Sequence, residues 1–191
     1  MSSTRAALAV LALLALAPAR ARADDGTLYV GDSLGVGTVR QLRSTTAGAM
    51  VEGDTRVGRS STEGLAVLRS RLRRRHKVVV FDLGTNDGSP DLLRQNLDRA
   101  RGLTGERTLI VFTLNKPGAR PYNSAIRAFA RSADNVFVID WHSTAAAAHL
   151  LAGDGIHASP SGYRRRAALV ASLIRADQQA SWATARTSSA R

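Results

Sequence analysis

Residues 28–37 read LYVGDSLGVG, a short apolar segment followed by three glycines placed around Ser33. A β-rich segment, a glycine-rich turn and a helical pattern together predict a strand–turn–helix unit, whose turn either holds a phosphate or presents a nucleophile. The glycines at 31, 35 and 37 lack the G-x-G-x-x-G spacing of dinucleotide-binding turns, and the chain has no G-x-x-x-x-G-K-[ST] segment. The turn therefore indicates a serine nucleophile at the start of a helix.

The alternation of strand and helix patterns continues along the chain. The β-rich segments are residues 27–30, 50–54, 78–83, 109–114 and 136–140. The helical patterns are residues 34–43, 62–75, 90–103, 122–132 and 159–176. This alternation predicts one α/β domain with a mostly parallel sheet covered by helices on both faces.

The first 23 residues have the pattern of a secretory signal peptide. They carry Arg5 near the start, an uncharged apolar stretch at 6–17, and the small residues Ala21 and Ala23 at the end. We expect cleavage before Asp24, which places the protein outside the cytoplasm. The alternative is an uncleaved anchor, although the apolar stretch is too short to span a bilayer.

The rest of the chain is predicted to form one catalytic domain at 24–176 and a disordered tail at 177–191, where the apolar periodicity is lost. No segment after the leader is apolar enough to span a membrane. The chain has no cysteine, which excludes thiol catalysis and cysteine metal sites. Its four histidines have no clustered carboxylates at metal-ligand spacing, so we expect neither a metal nor a cofactor.

The chain is strongly basic, with 27 Lys and Arg against 15 Asp and Glu. Three of these arginines lie in the leader, so the mature chain keeps 24 basic side chains and a net charge of about +9. Basic residues concentrate in 69–77 (RSRLRRRHK) and 163–166 (YRRR). These clusters are either solvated helix ends or a surface attracted to an anionic envelope polymer. Nucleic acid is not expected as a partner, because no nucleic-acid motif or aromatic platform accompanies the arginines.

Polar residues follow the predicted strands at their carboxyl ends, the edge where parallel sheets gather their chemistry. Ser33 follows the first strand, Gly58 the second and Asn86 the third, and Asp154 and His157 come after the fifth. His157 is a suitable base for Ser33, and Asp154 lies close enough in sequence to accept the proton on its other ring nitrogen. Asn86 is a candidate oxyanion donor, and Gly58 lets the backbone approach a substrate closely.

Other residues of these segments have competing interpretations. Asp32 is predicted to stabilise its turn, and Asp87 to begin or cap the third helix. Trp141 belongs either to the core or to a pocket wall. His142 and His149 are rival bases, but neither has an aspartate three residues before it.

Four sequence blocks in this order resemble the SGNH, or GDSL, hydrolase superfamily: Gly31–Ser33, Gly58, Gly84–Asp87 and Asp154–His157. The resemblance covers residues 28–174. It implies a three-layer α/β/α sandwich with a five-stranded parallel sheet of order 2-1-3-4-5. It also implies catalysis by a Ser-His-Asp triad.

The resemblance assigns the site residues individually. Ser33, His157 and Asp154 would form the triad. The oxyanion hole would be built from the N–H groups of Ser33 and Gly58 and the side-chain amide of Asn86.

The segments GDSLGVG, RVGRSS, PYN and IDW resemble the catalytic domains linked to bacterial envelope O-acyltransferases. Because water is the commonest acyl acceptor, the expected function is a secreted serine esterase that removes short, acetyl-type groups from a carbohydrate or envelope polymer. One alternative is an O-acyltransferase that uses the same acyl-enzyme to modify an envelope glycan. Another is an inactive, cationic envelope-binding module.

Overall fold

A single five-stranded parallel sheet organises the molecule, with the strand order β2-β1-β3-β4-β5. The structure is a computed structural model and describes residues 26–45 and 50–188. The strands are β1 (Gly26–Gly31), β2 (Val51–Thr55), β3 (His76–Asp82), β4 (Thr108–Phe112) and β5 (Val136–Ile139). The helices are α1 (Ser33–Thr45), α2 (Ser61–Arg71), α3 (Pro90–Thr104), α4 (Ala119–Ala130), α5 (Trp141–Ala147) and α6 (Pro160–Ser188).

Both faces of the sheet are buried, because successive strand residues point to opposite sides. On β3, Val79 and Phe81 face a cluster that also contains apolar residues of α2, α3 and α4. Val78 and Val80 face a second cluster, which includes residues of α1, α5 and α6. The predicted three-layer α/β/α sandwich and its strand order 2-1-3-4-5 are therefore confirmed.

Several element boundaries differ from the sequence expectation. The fourth helix begins at Ala119 rather than 122, because Gly118 adopts a left-handed conformation (φ 68°) and Pro121 falls in the first turn, where a helix tolerates proline. The short helix α5 was not predicted at all. The second helix ends at Arg71, four residues earlier than expected.

The carboxyl-terminal part of the chain differs most. The last helix was expected to end at residue 176 and to be followed by a disordered tail, but α6 continues to Ser188. The predicted signal peptide, 1–23, lies outside the described residues. In the part of the chain that the structure describes, no helix combines the length and hydropathy of a membrane span.

Candidate active site

Ser33 is the first residue of α1, and it follows the end of β1 by one residue. The intervening residue, Asp32, is buried and closes this turn, because its Oδ1 accepts the N–H of Leu34 (2.9 Å). The expectation that Asp32 stabilises the turn agrees with this contact. The resulting geometry presents a half-buried hydroxyl group at the carboxyl edge of the sheet.

His157 connects Ser33 to Asp154. Its Nε2 lies 3.0 Å from the Ser33 hydroxyl oxygen, and its Nδ1 lies 2.6 Å from Asp154 Oδ2. In the tautomer of the imidazole that suits these contacts, Nδ1–H donates to the carboxylate, and Nε2 accepts the hydroxyl proton of Ser33. The structure thus brings together the three residues that sequence reasoning selected for a triad.

The Asp154 carboxylate is held as an anion by hydrogen bonds. His157 donates to one oxygen, and the N–H groups of Ile156 and His157 donate to the other at 2.9 Å each. These three contacts, the side-chain contact to His157 first, lower the pKa of Asp154 to about 2. Asp154 therefore stays ionised at neutral pH and can orient the imidazole and stabilise it when it is protonated.

The loop that carries Asp154 and His157 is closed by its own backbone. Leu151 and Ala158 form an antiparallel bridge, and the N–H of Ala152 donates to the carbonyl oxygen of His157 (2.7 Å). Gly155 takes a positive φ of 68° at the tip. Three residues after His157 the chain enters α6.

Asn86 lies next to the Ser33 turn and is itself exposed. Its Nδ2 donates to the carbonyl oxygen of Arg59 (3.1 Å) and lies 3.4 Å from Oδ2 of Asp32. A side-chain amide has two protons. One serves the Arg59 carbonyl and the other the Asp32 carboxyl group, so donation to a developing oxyanion would replace the longer of these two bonds, that to Asp32.

Gly58 lies in the loop after β2 with a φ of 75°, and a Cβ atom there would meet nothing within 4 Å. The glycine is therefore required by the backbone conformation rather than by packing. The neighbouring Arg59 was not singled out from the sequence. Its buried guanidinium bonds the Gly31 carbonyl oxygen (3.2 Å) and the Asp54 carboxylate (2.7 Å), which fixes this loop across the ends of β1 and β2.

The prediction for Asp87 is wrong. Its buried carboxylate accepts the N–H of Ser61 (2.8 Å) and also bonds the Ser61 hydroxyl, at the start of α2. The cap of α3 is instead Ser89, whose hydroxyl oxygen accepts the N–H of Leu92. Asp87 therefore ties the loop of Asn86 to a neighbouring helix.

The rival bases occupy other positions. His142 Nδ1 lies 2.9 Å from Oδ1 of Asn115, and His149 lies beyond the end of α5 with a φ of 50°. Of the described histidines, His157 is the one hydrogen-bonded to Ser33. Trp141 is fully buried within the second core cluster, so it belongs to the core.

The YRRR cluster is not uniformly a surface feature, because Arg166 is fully buried. Its Nη2 bonds both carboxylate oxygens of Asp82 at 2.7 and 2.6 Å, and Tyr29 donates its hydroxyl proton to the same carboxylate (2.6 Å). A run of arginines in a sequence gives no sign that one of them is internal.

The buried carboxyl group of Asp82 also affects the turn that carries Ser33. Burial of Asp32, followed by the nearby charge of Asp82, raises the pKa of Asp32 to about 7.

The described residues contain no cluster of three or more histidine, cysteine or acidic side chains that could hold a metal ion. The carboxyl edge of the sheet offers a hydroxyl group, an imidazole, a carboxylate and amide donors. This set suits acyl transfer through a serine.

Solved structures of ester-cleaving and acyl-transferring proteins have the same fold. The C-terminal catalytic domain of peptidoglycan O-acetyltransferase A from Streptococcus pneumoniae, solved with a methylsulfonyl adduct, superposes with a TM-score of 0.69 at 20% identity, covering 81% of this chain and 95% of that one. A GDSL-like lipase from Bacteroides thetaiotaomicron gives a TM-score of 0.65 at 17% identity, covering 80% and 88%. The chain has the SGNH hydrolase fold.

A third SGNH-fold neighbour is a psychrotrophic esterase from Pseudoalteromonas sp., solved with the inhibitor monoethylphosphonate. It has a TM-score of 0.59 at 14% identity and covers 84% of this chain and 99% of that one. No protein-family model matches the sequence, and no curated protein matches it. The SGNH likeness is therefore visible in the fold and in the four short sequence blocks.

Proposed function

We propose that this protein is an SGNH-type serine hydrolase that removes short, acetyl-type acyl groups from a carbohydrate or envelope polymer. The observation that carries the proposal is the continuous chain of contacts from the Ser33 hydroxyl through His157 to Asp154, at 3.0 and 2.6 Å. A serine in a structural helix cap has no need of an imidazole oriented by a carboxylate. This chain of contacts also argues against an inactive binding module.

In the first half of the proposed reaction, Ser33 Oγ attacks the ester carbonyl carbon while its proton passes to Nε2 of His157. The oxyanion that develops would be stabilised by the N–H groups of Ser33 and Gly58 and by the amide of Asn86. The tetrahedral intermediate then collapses to an acyl-serine. The departing alcohol takes the proton from His157.

In the second half, water attacks the acyl-serine carbonyl and gives a proton to His157. Collapse of the second tetrahedral intermediate releases the carboxylic acid and returns the proton to Ser33. Asp154 remains ionised throughout, which its pKa of about 2 supports.

An O-acyltransferase is the second candidate. It differs only in the acceptor, since a glycan hydroxyl would replace water in the second half of the reaction. The similarity to the catalytic domain of a peptidoglycan O-acetyltransferase favours this candidate.

We also propose that the protein is exported after cleavage between Ala23 and Asp24, on the strength of the leader pattern. The mass of the exported protein would identify its first residue. The exposed basic residues of 69–77 are proposed to associate with an anionic envelope polymer.

The test of the function is a series of p-nitrophenyl esters from acetate to palmitate, with and without a carbohydrate acceptor. We expect turnover of the short esters. Hydrolysis alone supports the esterase, an acylated acceptor supports the transferase, and no reaction with any ester would contradict both.

Variants of the triad make this test specific. Ser33→Ala and His157→Ala should each lower kcat by about a thousandfold or more, and the double variant should be little worse, because the two residues act as one unit. Methanesulfonyl fluoride should modify Ser33, as peptide mass spectrometry can show. Retention of most activity by Ser33→Ala would rule out this site.

A further inference from the structure

Arg166 lies in the second turn of α6 and contacts residues from several parts of the fold. Besides its two bonds to Asp82, its Nε donates to the hydroxyl oxygen of Thr38 on α1 (3.0 Å). The guanidinium carbon lies 4.1 Å from the ring centre of Phe112 and 4.9 Å from that of Trp141. One buried side chain thus connects the last helix to α1 and β3, and stacks on aromatic residues of β4 and α5.

The elements that Arg166 joins are those that carry the candidate catalytic groups. α1 begins with Ser33, β3 leads directly into the loop of Asn86, and α6 begins three residues after His157. The network also reaches the nucleophile turn, because the N–H of Asp32 donates to the carbonyl oxygen of Asp82 (3.2 Å). The guanidinium therefore connects the three elements whose relative position sets the distances between Ser33, Asn86 and His157.

The loop of Asp154 and His157 adjoins α6, the helix that carries Arg166. Among the described residues, the backbone hydrogen bonds of 150–159 are made within that segment or to the adjoining turns of α5 and α6. The side-chain hydrogen bond between the loop and the Ser33 helix is that of His157 with Ser33 itself. Because Ala158 lies in the second core cluster, with Leu150 and Leu151 packed against it, the position of the loop is set by this packing and by the helices at its two ends.

A gain in folding stability does not by itself explain the buried ion pair of Arg166 with Asp82. Replacing a buried ion pair by well-packed apolar side chains is often neutral or stabilising, since both charges must be desolvated. Burial by itself lowers the pKa of Arg166, but the charge of Asp82, the nearby Tyr29 and the hydrogen bond to Asp82 together raise it above its ordinary value, so this cation does not titrate at neutral pH. What the planar guanidinium adds, with Nη2 on Asp82 and Nε on Thr38, is a fixed direction for each bond.

We propose that Arg166 is a positioning residue that anchors α6 to β3 and α1 and thereby aligns His157 with Ser33. This inference rests on the proposed serine-hydrolase function. The acylation step is sensitive to such alignment, because a displacement of about 1 Å can cost about a hundredfold in rate.

Two variants test the anchor, so that the test remains possible if one of them does not fold. Tyr29→Phe/Asp82→Leu/Arg166→Met removes the ion pair together with the Tyr29 hydroxyl and keeps Thr38, whose hydroxyl still donates to the Leu34 carbonyl oxygen. Thr38→Val removes the bond that reaches α1, together with that bond of Thr38 to Leu34. Arg165→Met is the matched control, because Arg165 is exposed on the same helix. Folding is checked by thermal unfolding, and each variant is assayed well below its own transition.

We expect both variants to lose about tenfold or more in kcat on p-nitrophenyl acetate, with KM little changed, whereas Arg165→Met keeps the parent's values. In a His157→Ala background the same changes should cost nothing further, because the aligned base is already gone. Full kcat in the folded triple variant would overturn the proposal. So would an equal loss in the His157→Ala background.

Hydrogen exchange tests the role of Arg166 as an anchor independently of the proposed serine-hydrolase activity. Amides of 150–159 should exchange faster in both variants than in the parent and in Arg165→Met. A parent that is inert to the ester and to methanesulfonyl fluoride would overturn the serine-hydrolase function. Unchanged exchange of this loop would overturn the anchor, whatever the activity of the parent.

Discussion

At the scale of single residues, the carboxyl group of Asp32 has two neighbours that matter for the site. One oxygen accepts the N–H of Leu34 and shapes the nucleophile turn, and the other lies 3.4 Å from the amide nitrogen of Asn86. Burial and the nearby charge of Asp82 disfavour its ionised form, while Arg166 partly offsets them. The group therefore changes charge near neutral pH, unlike Asp154.

The pKa of Asp32 makes a prediction about stability. Its value of about 7 lies above the ordinary 3.8, so the folded protein binds a proton that the unfolded chain has released between these pH values. Stability from this group is present at low pH and is lost as the pH rises through 7. Asp32→Asn cannot ionise, so its stability should not fall in this way as the pH rises. The difference between the Tm of Asp32→Asn and the Tm of the parent should therefore be several degrees more positive at pH 8 than at pH 5.

The matched control for this experiment is Asp134→Asn, which changes an exposed carboxyl group. Its Tm difference from the parent should be the same at both pH values. If Asp32→Asn behaved in the same way as this control, the assignment of a raised pKa to Asp32 would be wrong.

At the scale of elements, α6 packs so closely on its neighbours that side chains are excluded at two points. A Cβ atom on Gly37 of α1 would overlap the ring of Tyr163, and one on Gly162 would overlap the carbonyl oxygen of Leu150, which follows α5. The first of these contacts brings the helix that begins with Ser33 against the helix that follows His157. The glycine-rich character of residues 31–37 thus serves helix packing as well as the turn.

Gly37→Ala tests this close packing, with Gly102→Ala as its control. Both glycines lie within helices, but a Cβ atom on Gly102 would meet nothing within 4 Å. We expect Gly37→Ala to lower the free energy of unfolding by about 1–3 kcal/mol through overpacking. Gly102→Ala should raise it by up to about 1 kcal/mol through helix propensity. Urea denaturation measures both, and equal effects of the two variants would contradict the packing argument.

At the scale of the whole molecule, the two ends of the parallel strands carry different surfaces. The candidate active site lies at the carboxyl ends of the strands, whereas the basic residues 73–77 lie at the amino end of β3. In the basic stretch 69–77, Arg71 pairs with Asp54 and Arg75 with Glu52. Arg73 has no ion pair with a described residue, but it donates to the carbonyl oxygens of Ser70 and Leu72. Arg69, Arg74 and Lys77 are exposed and have no ion pair with a described residue, so they offer positive charge to a partner.

Replacing Arg69, Arg74 and Lys77 by Gln should leave turnover of a small neutral ester unchanged, because these side chains lie at the opposite edge from Ser33. Binding to isolated anionic envelope material should weaken, and salt should abolish the difference, since screening acts within about 8 Å at physiological ionic strength. The control replaces the exposed Arg40, Arg120 and Arg165 by Gln and has the same net charge. Equal loss of binding in both variants would indicate a net-charge effect and not a surface at this edge.

The sheet and the meeting of Ser33, His157 and Asp154 at one edge could be predicted because their signals are local. Apolar segments specify the strands, and the residues that follow them are fixed at one edge by parallel topology. Arg166 could not be predicted, since its partner Asp82 is 84 residues away and its neighbours Arg164 and Arg165 are exposed. The extension of α6 was missed because residues 177–188 favour helix through Ala and Gln without an apolar repeat.

The contact between Ser33 and His157 joins residues 124 positions apart, one at the start of the first helix and the other in the loop that precedes the last helix. During synthesis the nucleophile leaves the ribosome long before its base exists. A nascent or truncated chain that ends before His157 would have a serine hydroxyl but no imidazole to activate it. The topology thus ties the onset of any catalysis to synthesis of the His157 loop, and shorter chains would remain harmless to esters around them.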